Sequence, residues 1–163
     1  MLISDKLTKG MNDQVGRELG ASSQYLQLAS YFARDNLREL AAFFFRQADE
    51  EREHAVKFVH YLVDTGGKVA IPQVMAAQDV ASAEAGVQAA LDGEKKVTEQ
   101  INDLSAIAAE DQDYAALRFL GWFSEEQVEE ISTMSELLSV VRRAGDQLLL
   151  VEEYLSRRGE PHA

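Results

Sequence analysis

Between residues 44 and 62 the apolar positions Phe44, Ala48, Ala55, Phe58 and Leu62 step by threes, fours and one seven, as on the buried stripe of a helix. Glu51 falls inside that stripe and His54 follows three residues later. A carboxylate in a buried stripe costs several kcal/mol unless something compensates it. The same periodicity, extended along the chain, predicts four long helices. The first runs from about Lys6 to Arg34 behind the cap candidates Ser4 and Asp5. The second begins after Asn36, where Glu39 completes a capping-box pattern, and stops at Gly66-Gly67. The third covers roughly Ala83 to Glu110, and the fourth Tyr114 to Arg143 with a stop at Gly145. A short fifth helix is predicted behind Asp146 as its cap, in "DQLLLVEEYLSRR".

Helices of about 28 residues are roughly 40 Å long. Short links join the first to the second and the third to the fourth, and only "GGKVAIPQVMAAQDVAS", with Pro72, is long. Two helical hairpins joined by one long crossover make an all-α four-helix bundle, here a single domain over residues 1–163.

The remaining stripes carry polar interruptions of their own. The first helix reads Leu7, Met11, Gln14, Glu18, Ala21, Tyr25, Leu28, Phe32; the third reads Val87, Ala90, Glu94, Val97, Ile101, Leu104. The fourth reads Leu117, Leu120, Ser124, Gln127, Ile131, Met134, Leu138, Val141. Glu18, Glu51, Glu94 and Gln127 lie near the middles of their helices, so antiparallel packing brings them to one layer. His54 and Glu130, each three residues after a member, share those faces. No Lys or Arg occupies the stripes at that level. Two divalent cations would balance four carboxylates, and carboxylates with one imidazole and no thiolate suit iron or manganese better than structural zinc.

Composition narrows the chemistry further. With 16 basic and 28 acidic residues the net charge is -12, which argues against an electrostatic nucleic-acid binder and for attraction of cations. Zero Cys excludes disulfides, thiolate metal sites and a cysteine nucleophile. Neither a signal-peptide-like stretch nor a membrane-length apolar run is present, so the expectation is a cytoplasmic protein with no membrane partner.

Four motifs, "GREL" around Glu18, "EEREH" from Glu50 to His54, "GEKKVTEQIN" around Glu94 and "FLGWFSEEQVEE" from Phe119 to Glu130, resemble those of the non-haem bacterial ferritins in order and spacing. The resemblance covers essentially the whole chain and implies the ferritin-like bundle with a long second-to-third crossover. It also implies a ferroxidase that oxidises Fe(II) with O2 or H2O2 and stores iron in a homo-oligomeric shell of about 24 chains. One iron position would use Glu18, Glu51 and His54; the other would use Glu94 and Glu130, with Glu51 bridging and Gln127 beside the pair. A third iron site would use Glu50, Glu126, Glu129 and Glu130. Tyr25 would hold a ligand carboxylate or supply an electron, or else be a core aromatic with a satisfied hydroxyl. Trp122 is read as packing, His60 and His162 as solvated, and the "LLLV" run of the fifth helix as burial against neighbouring subunits. Haem-binding relatives carry a Met directly after the first motif's Glu and a second Glu-x-x-His; Arg52 and Glu130 stand there, so no haem is expected. A carboxylate-bridged di-metal oxidase or peroxidase without a storage shell, and a purely structural bundle, remain as alternatives.

Overall fold

The computed structural model describes residues 2–158, and His162 lies outside them. The described residues form α1 (Asp5–Arg34), α2 (Arg38–Thr65), α3 (Ala83–Glu110), α4 (Tyr114–Ala144) and the short α5 (Leu149–Arg158). Three of the starts are closed by side chains that accept an otherwise unpaired backbone N–H: Ser4 from Leu7 (3.2 Å), Ser82 from Ala85 (3.1 Å) and Asp113 from Ala116 (2.9 Å). Gly66 ends α2 in the left-handed region, at φ 79°.

The start of α2 departs from the sequence reading. Asn36 has φ 59°, so it cannot act as an extended N-cap; Leu37 takes that position and offers no side-chain bond. Instead Glu152 of α5 accepts from Glu39 N (3.0 Å) and Leu40 N (2.9 Å). A carboxylate on the positive end of α2 is favourable twice over, by hydrogen bonding and by the helix dipole. The fifth helix also begins at Leu149 rather than directly behind Asp146. It buries Val151 inside its own chain and leaves Leu149 and Leu150 exposed.

On α4 the expected stripe is buried at Leu120, Gln127, Met134, Leu138 and Val141, but Phe123 rather than Ser124 fills the step between Leu120 and Gln127. Phe123 is buried, whereas Ser124 is exposed and returns its hydroxyl to Leu120 O at 3.3 Å. Phe123 stacks on Phe58 of α2 with ring centroids 4.4 Å apart, which favours its burial over that of Ser124.

α1 packs along α2 and α3 along α4, while α1 and α3 meet over a shorter stretch. The crossover between α2 and α3 lies over that gap. Asn12 grips it at one end, donating to Lys68 O (2.8 Å) and accepting from Ala70 N (2.7 Å). Gln24 does the same at the other end with Gln78 O (3.1 Å) and Gln78 N (2.7 Å). Gly16 admits Pro72 between them, since a Cβ there would stand 2.5 Å from the proline ring.

The interior divides into two apolar clusters. One gathers Leu28, Phe32, Leu40, Phe44, Val87, Met134 and Leu138; the other gathers Leu7, Met11, Phe58, Leu62, Ile101, Leu120 and Phe123. Each helix of the bundle contributes one half to each cluster, and the polar residues of the stripes fall between them.

Candidate metal centre

All six members of the expected layer, Glu18, Glu51, His54, Glu94, Gln127 and Glu130, are buried, and no Lys or Arg is buried among the described residues. α1 and α2 bring Glu18, Glu51 and His54 together with a ligand atom from each within 4.8 Å of the others. His54 Nδ1 lies 3.5 Å from Glu51 Oε2 and 3.9 Å from Glu18 Oε2. Its other nitrogen, Nε2, is 4.0 Å from Glu126 Oε1. The His54 ring is held edge-on by Trp122 and Phe123, at centroid distances of 5.6 and 5.7 Å. Trp122 thus packs as expected, with Lys57 Nζ 4.1 Å over its ring. His60 is exposed.

α3 and α4 supply the facing side. Gln127 Nε2 donates to Glu94 Oε2 (3.0 Å) and Glu94 O (3.1 Å), and the buried Tyr25 hydroxyl from α1 donates to Glu94 Oε1. Tyr25 therefore spans the layer from α1 to a carboxylate of α3. A second group, Glu50, Glu126 and Glu130, also offers ligand atoms within 4.8 Å of one another, with Glu130 its buried member. Glu129 is exposed and stands outside that group.

The carboxyl groups resist ionisation together. Burial, then the charge of Glu51, raises the pKa of Glu18 well above its ordinary value. Burial, then the charges of Glu94 and Glu130, does the same to Glu51. Glu130 is pushed up to about 9 by burial and by Glu94, and Glu50 is raised chiefly by burial. Glu18 Oε2, Glu51 Oε1 and Glu130 Oε2 are buried without a hydrogen-bond partner. Native interiors seldom leave such oxygens unpaired, and cations ligated by them would remove both the penalty and the mutual repulsion.

One contributor is not evident in the motifs. Gln14, fully buried one turn before Glu18, donates to Glu18 Oε1 at 2.7 Å, and Arg17 Nη1 reaches Gln14 Oε1 at 3.3 Å. Gln14 holds one oxygen of Glu18 and leaves the other free. Its four-residue spacing from Glu18 was the available signal, since such pairs hydrogen-bond along a helix face.

Comparison with known proteins finds relatives over most of the chain. A family model described as a ferritin-like domain matches residues 8–144. The chain is 37% identical over 148 residues to Ferritin BfrB of Mycolicibacterium smegmatis, covering 90% of this chain and 82% of that protein. It is 35% identical over 161 residues to the bacterial non-heme ferritin of Staphylococcus aureus, covering 96% and 97%. Its fold superposes on an open pore ferritin from the archaeon Archaeoglobus fulgidus with a TM-score of 0.90 at 30% identity, over 95% of this chain and 97% of that one.

Proposed function

Because this chain belongs to the ferritin family, we propose that it is a cytoplasmic iron-storage protein, a single domain per chain, whose buried layer oxidises Fe(II). The observation that carries the reading is the set of unpartnered buried oxygens on Glu18, Glu51 and Glu130, in a layer with no buried Lys or Arg. Glu18, Glu51 and His54 bind one Fe(II), and Glu94 and Glu130 bind a second, with Glu51 between them. Two Fe(II) held side by side deliver two electrons together, so that O2 is reduced to hydrogen peroxide with uptake of two protons. With H2O2 as oxidant the same two electrons give water. Tyr25 and Gln127 hold Glu94, and Gln14 holds Glu18, so the ligand oxygens keep their positions as charge builds on the pair.

Glu50, Glu126 and Glu130 form the adjoining third iron site, with Glu129 on its exposed side. The product Fe(III) passes to a mineral inside a shell of about 24 chains. Stopped-flow oxidation with oxygen consumption tests this site by site. Wild type should show a fast phase of about two Fe(II) per chain. Glu51→Ala should abolish it, because both iron positions lose a ligand. Glu126→Ala should keep the first fast phase and slow later additions. A fast phase intact in Glu51→Ala would refute the assignment.

A further inference from the structure

Tyr25 and Glu94 also line a cavity of about 450 Å³ bounded by α1, α3 and the crossover. That volume lies within the range of small-molecule sites, roughly 300–1,000 Å³. The crossover that bounds it is tied at both ends by the Asn12 and Gln24 hydrogen bonds. The exposed Met75 and Ala76 of the crossover line it together with Gly20, Ala21 and the exposed Gly93. These glycines are not there for close packing. A Cβ on Gly93 would meet nothing within 4 Å, and one on Gly20 would meet only Val74 Cγ1 at 3.9 Å. Gly16 and Gly86 differ, since a Cβ on either would come within 2.5 Å of a neighbouring side chain. Gly93 is exposed, and with the half-buried Gly20 and Ala21 it leaves this wall of the space open from solvent.

The charge around this space has a sign. Arg17 and Lys96 both line it, and neither belongs to an ion pair among the described residues. Of the two carboxylates that line it, Asp13 is already paired with Lys9 at 2.8 Å and Glu94 is taken up by the Tyr25 hydroxyl and Gln127 Nε2. Two unpaired cations beside an apolar wall, in a chain of net charge -12, select an anion with an apolar body.

We propose that this cavity binds a small organic anion with a flat apolar body, an aryl carboxylate or sulfonate. The anionic group lies between Arg17 and Lys96, and the ring lies on Gly20, Ala21 and Gly93 under Met75. The site needs no iron, so its test is independent of the oxidation assay. The probe is 8-anilinonaphthalene-1-sulfonate, titrated into the iron-free assembled protein and followed by its fluorescence. Saturable binding at about one dye per chain is expected, competed by 2-naphthoate and not by the neutral 2-naphthalenemethanol. Gly93→Leu, which favours the helix and fills that wall, should abolish the signal while leaving helix content and particle size unchanged. Lys96→Glu should weaken binding by about tenfold through loss of a charge-assisted contact. Absence of saturable binding would overturn the site. So would a signal unchanged in Gly93→Leu, which would place the dye on other apolar surface, or equal competition by the neutral ring.

Discussion

Glu130 shows how a single residue can trade stability for chemistry. Its folded-state pKa, about 9, lies above the ordinary 4.5 that it regains on unfolding. The folded chain therefore binds the extra proton between those values, and stability falls as pH rises through the interval. Glu18 and Glu51 are shifted in the same direction and add to the slope. The iron-free protein should accordingly melt at progressively lower temperature from about pH 5 to about pH 9, and Glu130→Gln should flatten the trend. A melting temperature that rises over that range would contradict the assigned burial. Glu18, Glu51, Glu94 and Gln127 were legible because each interrupts an otherwise apolar stripe, and His54 and Glu130 because each follows such a member by three residues. Gln14 was visible in its stripe, but its role depends on which way Glu18 turns. The exposure of Glu129 beside the buried Glu130 follows from the 100° step between neighbours on a helix.

At the scale of the element, helix ends were legible wherever the cap is local. Ser4 caps α1 as expected, α3 and α4 start at Ala83 and Tyr114 as expected, and Gly66 and Gly145 stop α2 and α4. The start of α2 was not legible, because its cap comes from Glu152, more than a hundred residues away. Local pattern carries no information about such a partner. The burial of Phe123 in place of Ser124 on α4 has a similar origin. Leu120, Phe123 and Ser124 allow a step of either three or four, and the packing of the Phe123 ring on Phe58, His54 and Phe119 decides between them. Glu152→Ala should cost about 0.5–2 kcal/mol, the usual value of a lost N-terminal cap. It should be read as a lower melting temperature together with faster proteolysis within α5, which that contact ties to α2. A variant with unchanged stability and protease resistance would show that the contact contributes nothing.

Across the whole molecule, the long link between two helical hairpins was enough to give the bundle. The path of that link was not, since it depends on Asn12 and Gln24 pairing with backbone groups near Lys68 and Gln78. Its course over the gap between α1 and α3 creates the anion-binding cavity, which no periodicity in the sequence announces. The division of the interior into two apolar clusters explains how a stable bundle carries an unfavourable polar layer. Phe32 and Phe44 pack on one side and Phe58 and Phe123 on the other, so the buried carboxylates lie between two apolar cores.

The central claim joins this layer to iron storage, and native particle mass with iron content after aerobic Fe(II) addition tests both at once. The account predicts a particle of about 24 chains that retains iron far beyond the two or three ions per chain its ligands can hold. A monomer or dimer, or a particle whose iron stops at about two per chain however much is supplied, would contradict it.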